Sequence, residues 1–163
     1  MRLQSLRTVQ RLSVAISDAW AFFSDPRNLS RLTPPWMRFE ILSPLLDRAY
    51  AGLLITYRVR PVAGIPVTWV TEITHVCEPH LFVDEQRLGP YRFWHHQHLF
   101  REVPGGVEME DIVHYALPLG WLGLIVSRLV VAPRLQEIFE FRRRALEEHF
   151  AARAEGRAPT RRL

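Results

Sequence analysis

The amino-acid sequence predicts an α+β fold: a seven-stranded curved antiparallel sheet around one long C-terminal helix, with two short helices between strands 1 and 2. Three observations carry this reading. Between residues 38 and 117 the chain is a series of segments with period-two alternation, punctuated by Pro and Gly, as short strands joined by turns require. After Pro118 the period becomes helical, and Leu135, Ile138, Phe139, Arg142, Leu146 and Phe150 recur at steps of three and four, which puts them on one helix face. No repeat or linker divides the 163 residues, a length that suits one domain with a real core. Residues 1–154 therefore read as a single ligand-binding domain and 155–163 as a disordered basic tail.

Taken in order, residues 4–14 alternate and read as the first strand. Ser17 and Asp18 read as caps of a short helix over 19–23, with Trp20 and Phe23 on its buried side. Ser24-Asp25-Pro26 stops it and opens a second helical turn to about Leu32, with Pro at the first position. Thr33-Pro34-Pro35 closes that turn. Strands are expected at 38–43, 53–60, 67–76 and 81–88, then in the stretch between Gly89-Pro90 and Pro104, then at 107–117. On the 67–76 strand, Trp69 and Ile73 look like the buried side, and Glu72 is ambiguous. Residues 119–131 are nearly all apolar, and Pro133 interrupts the pattern before an amphipathic helix of some five turns. That apolar run contains Arg128 and falls short of the roughly 20 residues a bilayer span needs. A sheet with hairpin connections must bury one face, and only the long helix can cover it. Their curvatures do not match, so a gap is expected between them, lined by apolar residues and a few polar groups.

The charge pattern narrows the function classes. Net charge is +4, and all 21 basic residues are arginine. Without lysine there is no Schiff-base or P-loop lysine chemistry. Arg142, Arg143 and Arg144, with Arg153, Arg157, Arg161 and Arg162, read as a solvated helix face and tail, since no aromatics are interleaved for stacking on bases. No nucleic acid is expected as a partner, nor stable membrane insertion. The lone Cys77 excludes an internal disulfide and reads as a small apolar residue. Residues 1–14 lack the apolar segment of a signal peptide, so a cytoplasmic location is expected. No Gly-x-Ser-x-Gly elbow occurs.

The chemistry concentrates on the strand after Gly89-Pro90. Its alternation puts Trp94, His96, His98 and Phe100 on one face and Phe93, His95, Gln97 and Leu99 on the other. A four-residue loop, 103–106, would set Glu102 opposite Val107 and hence Phe100 opposite Met109, His98 opposite Asp111, His96 opposite Val113 and Trp94 opposite Tyr115. His98 and Asp111 would then be hydrogen-bond partners. The carboxylate would fix the tautomer and raise the pKa of the imidazole, making a general base; the plainer reading is a buried structural hydrogen bond. His96 and His98 could ligate a metal with Asp111 as a third ligand, but no second histidine pair faces them in this register, and neither metal nor other cofactor is expected. Asp84 and Gln86 share a face with Phe82 and would anchor a ligand if that face lines the gap. Trp94, Phe100, Val113, Tyr115, Trp121 and Phe139 are candidate walls.

Several stretches look like a known family. Asn28-Leu29 with Leu32-Thr33-Pro34-Pro35, then Phe82, Asp84, Gln86, Gly89-Pro90, Trp94, His96, His98, Phe100, Asp111, Tyr115, Pro118 and Gly120 resemble the START-like, or SRPBCC, superfamily of helix-grip proteins. This superfamily includes the Bet v 1 type and the polyketide cyclase/dehydrase branch, and the resemblance covers about residues 3–150. It implies an internal hydrophobic cavity under the long helix but no single reaction.

The first reading is therefore a protein that binds a small hydrophobic molecule (lipid, quinone or polyketide-like) between sheet and helix, oriented by His96, His98, Asp111 and Tyr115. The second is a cyclase or dehydratase with His98 as base and Asp111 orienting it. The third is a membrane-surface or protein-interaction module built on residues 119–131 and the arginine-rich helix. The sequence leaves the oligomeric state open.

Overall fold

Period-two burial runs through β1 (Gln4–Leu12), which alternates half-buried and exposed along its length. The computed structural model describes residues 2–44, 47–61, 64–118 and 125–154. Six more strands follow: β2 (Glu40–Ile41), β3 (Leu54–Val59), β4 (Val67–Cys77), β5 (Leu81–Leu88), β6 (Phe93–Val103) and β7 (Gly106–Ala116). They form one antiparallel sheet in the order β1-β7-β6-β5-β4-β3-β2. Register shifts in the β4–β5 ladder, between Val70 and Thr71 and between Ile73 and His75, add local bend. The long helix α2 (Ala132–Ala154) follows the sheet, with Gln10 on β1 donating its side-chain amide to Arg143 O at 2.9 Å.

Helix α1 (Ile16–Phe23) begins earlier than expected, and neither Ser17 nor Asp18 caps it. Extended Ala15 holds the N-cap position with no side-chain bond, and Asp18 lies in the first turn, where a carboxylate meets the positive end of the helix dipole. Its buried side is Ala19, Trp20 and Phe22; Phe23 is only half-buried. Asp25 does cap the following 3-10 turn, Pro26–Arg31, accepting from the Arg27 amide at 3.0 Å. A further 3-10 turn, Pro35–Met37, ends on left-handed Arg38. That turn uses up the start of the strand expected at 38–43, so only Glu40 and Ile41 pair.

The β6–β7 register is the expected one, with Phe100 opposite Met109, His98 opposite Asp111, His96 opposite Val113 and Trp94 opposite Tyr115. The loop is shorter than four residues, because Val103 and Gly106 also pair and only Pro104 and Gly105 turn. Gly105 has φ +86, the positive value that follows Pro in a type II turn.

Pro133 does not interrupt the last helix. The backbone is helical from residue 125, and Ser127–Val131 forms a π turn before α2. There Ala132 N–H bonds to Ser127 O. The wider turn sits just before the residue that has no N–H to donate, where a regular helix would be strained. Residues 119–124, including Trp121, and the tail 155–163 lie outside the described residues.

Core residues fall into three clusters among the described residues. The first joins Trp20, Phe22, Phe82, Phe100, Met109, Leu146 and Phe150. The second joins Val113, Tyr115, Val131, Leu135 and Phe139. The third joins Met37, Val59 and Trp69. The expected gap between helix and sheet lies between them.

Candidate functional site

A cavity of about 200 Å³ occupies that gap. Its walls draw on all three clusters: Ile55, Ile73 and Phe82 from the first, Leu135 and Phe139 from the second, and Met37, Val59 and Trp69 from the third. Its polar groups come from Asp84, His96, His98 and Arg142, with Tyr57 and Thr71 joined by a hydroxyl hydrogen bond of 3.0 Å. Burial pushes the Tyr57 and Tyr91 phenols up, so both stay neutral.

The polar cluster follows from register. Asp84 on β5 is directly opposite His96 on β6, and His98 on β6 is directly opposite Asp111 on β7. Period-two alternation turns all four side chains to one face, so each imidazole also reaches the other carboxylate diagonally. His98 Nδ1 is 2.8 Å from Asp111 Oδ1, and His98 Nε2 is 2.8 Å from Asp84 Oδ2. His96 Nε2 is 2.9 Å from Asp111 Oδ1, and His96 Nδ1 is 3.3 Å from Asp84 Oδ2. His96, His98 and Asp111 are 5%, 4% and 6% exposed. From α2, Arg142 Nη2 reaches Asp111 Oδ1 at 3.3 Å and His98 Nδ1 at 3.2 Å. The Trp94 indole N–H donates to Asp84 Oδ1 at 3.3 Å, and the Phe82 ring stacks on His98 at 4.0 Å.

Charge balance explains why so many ionisable groups tolerate burial. Burial alone would raise both carboxyls, but His96 and His98 hold Asp84 well down. Arg142, then the two histidines, hold Asp111 well down. Burial lowers both imidazoles. For His96 the two carboxylates outweigh it and the net shift is upward. For His98 the neighbouring His96 adds to it and the net shift is downward. With His96 cationic and His98 neutral, two carboxylates face one guanidinium and one imidazolium, and the cluster is neutral.

The expected site residues divide into two groups. Asp84, Trp94, His96, His98 and Phe139 line the cavity. Asp111 sits beside it, in contact with both imidazoles. Phe100 packs in the core against Trp20 and Phe23. Val113 is fully buried beside Tyr115, whose hydroxyl reaches Gln4 Oε1 at 3.4 Å. Gln86 holds the β5–β6 turn, donating to Tyr91 O at 2.6 Å and accepting from Tyr91 N at 3.2 Å. Trp69 and Ile73 are buried as expected, while Glu72 pairs with Arg87. Both ring nitrogens of His98 lie within hydrogen-bond distance of a carboxylate, so service as a general base would first require one contact to open. Sequence reasoning missed the role of Arg142, which it counted among the solvated arginines. The signal was its place in the same three-and-four repeat as Leu135, Phe139 and Leu146.

A curved antiparallel sheet closed by one long helix over a lined cavity is the helix-grip architecture. Comparison with solved structures gives the same class. Ginseng major latex-like protein 151 from Panax ginseng superposes with a TM-score of 0.67 at 10% identity, over 91% of this chain and 97% of that one. TTHA0849 from Thermus thermophilus gives 0.66 at 19% identity, over 93% and 99%. Ms6760 from Mycobacterium smegmatis gives 0.63 at 18% identity, over 91% and 98%. No family model and no curated protein matches the chain. The protein thus has the Bet v 1-type helix-grip fold. Among the described residues no helix is long and apolar enough to cross a membrane.

Proposed function

We propose that this protein binds one small, mainly apolar molecule carrying oxygen acceptors, held between the sheet and α2. The observation that carries the reading is a pair of orphan donors: Trp69 Nε1 and Arg142 Nε are buried without a hydrogen-bond partner, and both residues line the cavity. A buried N–H left unmade costs about 1–3 kcal/mol, and a ligand carbonyl, phenol or carboxylate would recover it. Apolar walls would supply affinity and these donors orientation. The volume sets the size class. A cavity of about 150 Å³ holds benzene, so about 200 Å³ suits one or two fused rings better than a two-chain lipid. A quinone or an aromatic polyketide fragment fits this description. The cyclase or dehydratase reading has less support, because neither ring nitrogen of His98 is free.

The test is thermal unfolding of the purified protein against quinones, hydroxylated bicyclic aromatics, fatty acids and ring hydrocarbons without oxygen. A ligand at a hundred times its Kd adds about 2.7 kcal/mol, or roughly 5–10 °C for a domain of this size. Oxygenated rings should raise Tm more than their hydrocarbon counterparts. Equal shifts for both, or none, would reject the reading.

A further inference from the structure

We propose that Asp84, His96 and His98 form a binding site for a single divalent transition-metal ion of the zinc or cobalt class, with one coordination position open to the cavity. One ring nitrogen each of His96 and His98 and an Asp84 oxygen all lie within 4.8 Å of one another. Asp84 Oδ2 is 3.3 Å from His96 Nδ1 and 2.8 Å from His98 Nε2. Ligand atoms at about 2.0–2.1 Å from one ion are themselves about 2.9–3.4 Å apart in octahedral or tetrahedral arrangements, so each histidine already holds a near-coordination spacing to Asp84 Oδ2.

Spacing is not the only requirement of a metal site; the outer contacts bear on it as well. Each ligand has its other polar atom beside a neighbouring polar group, as metal ligands usually do. His96 Nε2 and His98 Nδ1 both face Asp111 Oδ1, at 2.9 and 2.8 Å. Without metal, His98 Nε2 donates to Asp84 Oδ2 and Nδ1 accepts from Arg142 Nη2 at 3.2 Å; metal binding would require the other His98 tautomer, with Nδ1–H toward Asp111 and Nε2 as the lone pair. The Trp94 indole engages Asp84 Oδ1 and leaves Oδ2 toward the histidines. Arg142 reaches Asp111 Oδ1 and His98 Nδ1. With His98 in that other tautomer three lone-pair atoms would converge on one point, and a divalent ion would take the place of the protons that the two histidines hold toward Asp84 in the metal-free protein. Two neutral histidines and one carboxylate suit borderline ions over magnesium or calcium. All three ligands line the cavity, so an added ligand would approach from that side. The expectation of no metal took Asp111 as the possible third ligand; in the proposed site Asp84, from the neighbouring strand, takes that place.

The test needs no organic ligand and so stands apart from the reading above. The full chain, freed of metal with EDTA, is titrated with Zn2+ and with Co2+ by calorimetry and visible absorption. His95→Gln and His114→Gln are introduced throughout to remove the outer-face pair, which is opposed across β6 and β7. One ion per chain should bind. His98→Gln and Asp84→Asn should each weaken binding about 100-fold or more, and Asp111→Asn, an outer-contact change, about 10- to 100-fold. Because these variants could unfold, ring 15N spectra of the otherwise unchanged protein provide a second readout. Zinc should shift His96 Nδ1 and His98 Nε2 and leave His96 Nε2 and His98 Nδ1 as N–H. Absence of one-to-one binding, unchanged affinity in a folded Asp84→Asn variant, or metal on the opposite nitrogens would overturn the proposal.

Discussion

Arg142, Arg143 and Arg144 are consecutive, yet they meet different fates. Arg143 pairs with Glu140 and Glu147, and Arg144 with Glu140, all on the exposed side of α2. The Arg142 side chain is 12% exposed and faces Asp111, with Phe23 and Phe139 rings 5.4 and 5.8 Å from its guanidinium. Removing one partner of a buried ion pair strands the other. Arg142→Met should therefore cost about 3–5 kcal/mol in urea unfolding, whereas Arg143→Ala should stay within about 0.5 kcal/mol; equal costs would contradict the placement. Acid sensitivity belongs to the same residues. In metal-free protein Asp84 and Asp111 titrate below their ordinary 3.8, so the unfolded chain binds protons first as pH falls. Their stabilisation is complete above about pH 5 and is lost progressively as pH falls below it. Asp111→Asn should lower stability at neutral pH and flatten that acid limb. A wild-type stability unchanged between pH 5 and 2 would rule this out. Asp111 was legible as a partner of His98 because one hairpin register dictates it. Asp84 was legible only as sharing a face with Phe82, since its distance to the histidines depends on β5–β6 pairing, which the sequence of either strand does not fix.

At the scale of elements, the β6–β7 hairpin carries the site, because a slip of one residue would turn Asp111 to the opposite face. Its register was readable from alternation on both strands; the turn length was not, because pairing of Val103 with Gly106 leaves the alternation unchanged. Gly106 is constrained beyond the turn. A Cβ there would lie 2.0 Å from the Leu12 carbonyl oxygen, and backbone cannot swing aside as a side chain can. Gly106→Ala should cost roughly 1–3 kcal/mol and weaken amide protection at the Leu12–Val107 pair. Unchanged hydrogen exchange there would contradict the close approach. The α1 start, the short β2 and the uninterrupted entry to α2 escaped the sequence for one reason. Each depends on backbone geometry at Ala15, Arg38 or the π turn, and these leave no hydrophobic periodicity.

For the whole molecule, seven strands and one long helix were readable because alternation and helical spacing each persist over many residues. The cavity's existence follows from that architecture, but its contents do not. Tyr57, Trp69 and Tyr91 reach the site from β3, β4 and the β5–β6 turn, and aromatic residues on strands read equally well as core. Filling the space should separate binding from folding. Ile138→Trp, at a half-buried lining position of α2, should abolish ligand-induced stabilisation while the protein still unfolds cooperatively. Retained stabilisation would place the ligand elsewhere. The most direct measurement is the Trp69 indole 1H–15N resonance during titration with an oxygenated bicyclic aromatic. The account predicts a saturable downfield shift as the unpaired N–H gains an acceptor, larger than that of the Trp94 indole, which already donates to Asp84. A Trp69 signal that stays fixed while a ligand binds would contradict it.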